Sequence, residues 1–210
     1  MNNINIFGDK SSKNWVFQMV DEHDLKVIDH EYECIKKEVD EFCLITIKVE
    51  DWNNDLSPWE APPVFGKEGF GGESKKTLDK LYKIIEELDP QDKYLYLAGY
   101  SLAGLFALWT AYQTDLFSGY VGASPSVWFP HWLDYVKDKK ISKPVYLSLG
   151  TKEEKVRNKT MAQVGDNIRE YYNILSKQTK CILEWNPGNH FIDSDIRMAK
   201  GIIWLLRKGE

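Results

Sequence analysis

Short apolar runs alternate with segments of helical spacing along most of the chain. Residues 15–20, 42–49, 94–98, 119–122, 145–149 and 181–185 are rich in Val, Ile, Leu, Tyr and Phe and read as strands. Between them, Leu25, Ile28, Tyr32, Ile35 and Val39 recur at spacings of three and four, one face of a helix. Leu78, Leu81, Tyr82, Ile85 and Leu88 predict a second helix, with Ser74 as its N-cap and Asp89-Pro90 as its end. Residues 102–112 form a third. A fourth turns Val156, Met161, Val164, Ile168 and Leu175 inward, and a last one, capped by Ser194, carries Ile196, Ala199, Ile203 and Leu206. This alternation predicts an α/β protein with one mainly parallel sheet and crossover helices on both faces. Its 210 residues suit a single domain spanning 1–210. Residues 50–72 break the pattern with Pro58, Pro62, Pro63 and four glycines. Irregular segments longer than about 12–15 residues usually serve a function or are disordered.

Ligands in such folds sit beyond the carboxyl ends of the strands, so the strand ends are where chemistry is expected. The strand 94–98 runs into Gly99-Tyr100-Ser101-Leu102-Ala103-Gly104, close to a G-x-S-x-G nucleophile elbow. A sharp strand-to-helix turn needs small neighbours around the serine; position 103 is alanine where glycine is commonest. The following helix would aim its N-terminus at Ser101, with the Leu102 N–H as an oxyanion donor. A second donor is expected from the backbone near Asp21 and Glu22. The competing reading is that Ser101 only caps the helix.

A serine nucleophile needs a base. His190, in Pro187-Gly188-Asn189-His190-Phe191 after the last strand, lies at the same sheet edge as Ser101. His23 is its rival there; His30 sits in a helix pattern and His131 starts a helix. The orienting acid should lie between serine and histidine in chain order. Glu153 fits best, with Glu154 in reserve; both could instead be first-turn helix acids. Asp193 and Asp195 read as the start of the last helix.

These residues carry a resemblance. The elbow, Ala123-Ser124-Pro125-Ser126-Val127-Trp128, Leu149-Gly150-x-x-Glu153 and Gly188-Asn189-His190-Phe191 resemble an esterase family of α/β-hydrolases. That family includes esterase D, enterochelin-type esterases, feruloyl and acetylxylan esterases and mycolyltransferases. The resemblance covers about residues 94–205 and implies an α/β-hydrolase fold without a large cap, with Ser101 as nucleophile, His190 as base and Glu153 as acid. Many members open with a His-Gly oxyanion loop, where this chain has Val20-Asp21-Glu22-His23. Some enterochelin-type members work with a Ser–His pair alone.

Composition narrows the partners. A net charge of −5 without a basic stripe speaks against nucleic acid and, more weakly, against an anionic membrane surface. No run approaches the ~20 apolar residues that span a bilayer. The polar N-terminus and three unpaired-looking cysteines, Cys34, Cys43 and Cys181, suggest a cytoplasmic protein, with Cys43 and Cys181 as core filler. No metal cluster or cofactor motif is visible. Eight tryptophans suggest large apolar surfaces. Trp52, Trp59, Trp128 and Tyr100, with Phe65 and Phe70, are expected to wall a shallow pocket for a small acyl ester, or else to pack the long loop. The expectation is therefore a serine esterase acting on a small-molecule ester. An acyltransferase with the same triad, a side activity as a cofactor-free perhydrolase and a non-catalytic carbohydrate- or peptide-binding protein remain as alternatives, and homo-oligomerisation is left open.

Overall fold

The computed structural model describes residues 3–207. The chain runs through β1 (Ile4–Gly8), β2 (Asn14–Val20), α1 (Glu22–Leu25), α2 (Ile28–Lys36), β3 (Cys43–Lys48), α3 (Trp52–Asp55), β4 (Glu60–Ala61), β5 (Phe70–Gly71), α4 (Ser74–Leu88) and β6 (Tyr94–Tyr100). It continues through α5 (Ser101–Thr110), β7 (Gly119–Ala123), α6 (Trp132–Val136), β8 (Val145–Gly150), a 3-10 turn at Glu153–Lys155, α7 (Lys159–Ala162), α8 (Val164–Leu175), β9 (Cys181–Asn186) and α9 (Ser194–Leu206).

Seven strands form one sheet in the order β1-β3-β2-β6-β7-β8-β9. All neighbours are parallel except β1, which runs antiparallel along β3. Side-chain alternation splits the core in two. On one face, Phe17, Ile45, Leu97 and Leu147 pack with Leu78 and Leu81 of α4, Leu105 of α5 and Ile168 of α8. On the other, Val16, Leu44, Tyr96 and Tyr146 pack with Ile28 and Ile35 of α2 and with Met198 and Ile202 of α9. Strands covered on both sides read as continuous apolar runs, which is why their positions were plain in the sequence. The chain first winds from β2 outward to β3, then returns past β2 to β6. Strand order therefore reverses between β2 and β6, where a ligand crevice opens in such sheets.

Several expectations are corrected. β1 lies in the N-terminal stretch read as polar, for which no strand was expected: it is an edge strand, with Ile4 and Ile6 only partly buried. The helix expected through Val39 is two helices, α1 and α2. The segment 50–72 holds α3 and the β4–β5 ribbon. The helix expected from Val156 begins at Val164, leaving Val156 exposed. Neither Ser74 nor Ser194 caps: each is the first residue of its helix, after Glu73 and Asp193, neither of which makes a side-chain cap bond. The buried face of α9 only partly matches the expected one: Ala199 and Leu206 are buried as expected, together with Arg197, Met198, Gly201, Ile202 and Leu205, whereas Ile196 is exposed. Cys34, Cys43 and Cys181 form no disulfide; Cys43 is buried in the core, but Cys181 on edge strand β9 is only half-buried.

Candidate active site

The sheet delivers three loops to one point. β6 ends at Tyr100 in extended backbone, and Ser101 turns into α5 with φ of 57°, a left-handed conformation costly for a residue with a Cβ. The turn closes only because position 99 has no side chain: a methyl there would lie 2.3 Å from the Ala103 carbonyl. Ala103 is fully buried and fits. The first N–H groups of a helix have no partner within it, and the Leu102 N–H, at the start of α5, is one of them.

β8 ends at Gly150 and leads to Glu153, and β9 leads to the His190 loop. Backbone bonds lace these two loops together: Thr151 N–H to Asn186 O at 2.8 Å and Lys152 N–H to Gly188 O at 2.9 Å. Within the second loop, the Asn189 side chain accepts the Phe191 N–H at 2.9 Å and sets the turn.

These supports align three side chains. His190 Nδ1 is 2.7 Å from Glu153 Oε2, and His190 Nε2 is 3.0 Å from Ser101 Oγ. A carboxylate only accepts, so Nδ1–H donates to Glu153 and Nε2 is left to accept from the serine hydroxyl. Glu153 is 6% exposed. Burial presses its carboxyl upward, yet hydrogen bonds from His190, Ser124 and the Gly150 N–H prevail and hold it below the ordinary carboxylate range. Glu154 points elsewhere, pairing with Arg169 at 2.9 Å.

The Ser124-Pro125-Ser126-Val127-Trp128 run is distributed around this line. Ser124 Oγ donates to Glu153 Oε1 at 2.8 Å, the Ser126 N–H donates to Ser101 O at 3.0 Å, and Trp128 walls the adjoining pocket. Burial pushes the Tyr100 hydroxyl up to about 12, so it stays protonated and donates to His190 O at 2.8 Å. One participant was not foreseen: Arg197, 1% exposed, reaches Glu153 Oε1 at 2.9 Å from α9.

Two hollows meet at Ser101. One, of about 420 Å³, is lined by Trp52, Phe65, Phe70, Leu102, Trp128, Met161 and other apolar side chains, with Ser101 and His190 at its base. Phe65, Val156 and Phe191 stand at it 49%, 40% and 80% exposed, an apolar surface with no protein covering. The other hollow, of about 260 Å³, is mixed: Asp21, His23, Asp24 and Ser194 line it together with the rings of Trp52, Tyr100, His190 and Phe191. Trp59 lines neither. Its ring packs on Phe129 and Tyr135 and its Nε1–H donates to Pro130 O at 3.0 Å, so it fixes the loop. The Asp21 N–H already donates to Asp24 Oδ2 at 3.1 Å in a capping box, and the Glu22 side chain turns away to Lys48. Of the other histidines, His30 pairs with Asp195 at 2.5 Å and His131 is exposed. Among the described residues, no group of three or more His, Cys, Asp or Glu is arranged to hold a metal, and no helix is long and apolar enough to cross a membrane.

The sequence matches no protein-family model, and no curated protein matches it. Solved structures do resemble it. An IroE-like serine hydrolase from Shewanella oneidensis superposes with a TM-score of 0.77 at 19% identity, over 95% of this chain and 72% of the other. The siderophore hydrolase EstA from Aspergillus nidulans gives 0.72 at 18% identity, over 99% and 95%. An esterase from Pyrococcus furiosus gives 0.63 at 15% identity, over 95% and 84%. The fold is that of the α/β serine hydrolases.

Proposed function

We propose that this chain is a serine esterase. One observation carries the reading: the continuous line Ser101 Oγ–His190 Nε2 and His190 Nδ1–Glu153 Oε2, at 3.0 and 2.7 Å. A serine on a strained turn, a base within hydrogen-bond reach and a buried acid behind it supply what nucleophilic acyl transfer requires. Ser101 Oγ attacks the ester carbonyl as His190 Nε2 takes its proton. The Leu102 N–H, at the positive end of α5, stabilises the oxyanion. Asp21 joins as a second donor only by releasing its N–H from Asp24; Glu22 supplies the next amide along. His190 then protonates the departing alcohol, and a water activated by the same nitrogen frees the acid and restores Ser101.

The larger, apolar hollow takes the acyl part, with Trp52 and Trp128 in its wall, and the smaller one, beside Asp21 and Asp24, takes the alcohol, past Tyr100. The superposition on a protein named a siderophore hydrolase makes siderophore esters the first natural candidates. An acyltransferase would use the same line, with an alcohol in place of water.

The test is hydrolysis of a p-nitrophenyl ester series from acetate upward, with Ser101→Ala alongside. We expect turnover that vanishes in the variant and rises with acyl length until the apolar hollow is filled. Equal background rates in both proteins would sink the reading. Added alcohol that diverts product into a new ester would favour the transferase.

A further inference from the structure

We infer that Arg197 is the positioning residue of this site, a single guanidinium that locks the acid into one orientation and holds the histidine's loop against it. The inference rests on the reading of Ser101, His190 and Glu153 as a triad and extends it to a residue that touches neither substrate nor serine.

Arg197 lies on the first turn of α9, buried to 1% exposure. Its Nη1 donates to Glu153 Oε1 at 2.9 Å, Ser124 Oγ at 3.0 Å and Tyr100 Oη at 3.1 Å. Its Nη2 donates to Pro187 O at 3.1 Å and Asn189 O at 2.9 Å, two carbonyls in the loop that bears His190. One side chain thus touches the ends of β6, β7 and β8 and the loop after β9, every segment that carries a member of the triad.

The consequence for Glu153 is specific. Its Oε1 receives three donors: Arg197, Ser124 Oγ and the Gly150 N–H, the last at 2.7 Å. With that oxygen occupied, the carboxylate cannot spin, and Oε2 alone faces His190. There is no slack: a Cβ on Gly150 would come within 2.8 Å of Glu153 Oε1 and 3.0 Å of Arg197 Nη1. A fork with donors on two nitrogens can span a carboxylate on one side and two carbonyls on the other; a lysine ammonium is a point charge and cannot do both. Arg197 also neutralises part of the carboxylate's charge. Without it, Glu153 would stabilise an imidazolium more strongly and the base would keep its proton to higher pH.

The experiment compares wild type, R197K, R197M and E153Q, with and without R197M, over about pH 5 to 9. Two readouts are used: ester hydrolysis and the rate at which a fluorophosphonate labels Ser101. In R197M we expect kcat about 100-fold lower with KM within about twofold, since misplacing a catalytic group by about 1 Å costs that much. We expect the acid limb of its kcat/KM profile to move to higher pH. R197K should restore the limb but not the full rate, separating charge from geometry. Adding R197M to E153Q should cost little more, because both act through one carboxylate.

A folded R197M with wild-type kcat and limb overturns the proposal. So does an equal loss from R197M in the presence and absence of Glu153, which would mark a packing role alone. If R197M does not fold, R197K decides, and full wild-type turnover there overturns the bridging role. If wild type hydrolyses no ester but Ser101 is labelled, the labelling rates carry the same comparison, so the Arg197 proposal can fail while the nucleophile stands. If wild-type Ser101 is not labelled, both fall.

Discussion

Two glutamates are buried among the described residues, and they have opposite fates. Glu153 is 6% exposed and Glu31 2%. Glu153 is held below the ordinary carboxylate range because donors surround it. Glu31, on α2, is pushed well above that range, first by burial, with one bond from Gln18 Nε2 working against it and the charges of Asp24 and Asp195 adding to the rise. Its Oε1 and the facing Gln18 Oε1 have no partner. Burial sets the same cost in both places; the supply of N–H and O–H groups decides whether the charge survives. A site can therefore keep an anion in a dry interior, provided the backbone and a cation are brought to it, and the loops at the carboxyl ends of β8 and β9 do this.

The sharpest way to test the contrast is to remove the charge from each. Glu153→Gln keeps the shape but favours the wrong imidazole tautomer, and we expect kcat to fall roughly 1,000- to 10,000-fold. Near-normal turnover would mean that Ser101 and His190 act as a pair. Glu31→Gln should leave turnover unchanged and stabilise the protein. The raised carboxyl holds a proton that the unfolded chain releases above its ordinary 4.5, so Glu31 weakens folding as pH rises from that point. Denaturant melts at about pH 7.5 should show a clear gain that is absent at about pH 4. The smallest effect is at Asp24, pushed up to about 6 first by burial and then by the Asp21 charge. The native carboxyl keeps its proton between 3.8 and about 6 while the unfolded chain loses it, so stability drops across that window. Asp24→Asn should gain up to about 3 kcal/mol above the window and nothing below it; a gain that ignores pH would assign the effect to the α1 cap instead.

How much of this the sequence disclosed follows from the same physics. The strands of the parallel sheet are apolar on both faces and stood out. β1 did not, because an edge strand needs only one covered side and its Asn5 and Gly8 break the run. Ser101, Glu153 and His190, which the structure brings together, were singled out through chain order and the small residues of the elbow. Arg197 was missed because the stripe drawn for α9 ran through Ile196, Ala199, Ile203 and Leu206; Ala199 and Leu206 are buried as expected, but Ile196 is exposed and Arg197 lies inward. With the observed face, Arg197, Gly201 and Leu205 fall on one stripe at i, i+4 and i+8, and a lone cation on such a stripe is the signal that could have revealed it. Trp59 was assigned to the pocket on composition, yet a ring in a long loop can serve the loop as well as a ligand, and only its contacts separate the two.

The segment from α3 to β5 supplies Trp52, Phe65 and Phe70 to the apolar hollow, while Ser101, Glu153, His190 and Arg197 are all tied to the ends of β6 to β9 and to α9. On the proposed reading, one part of the selecting wall is thus built from a stretch separate from the residues that react, while Leu102, Trp128, Met161 and Phe191 complete it from the triad's own side. A lineage could shorten, lengthen or repaint that ribbon and so change what it consumes, inheriting the proton-transfer apparatus untouched. A protein engineer can graft there with the same freedom.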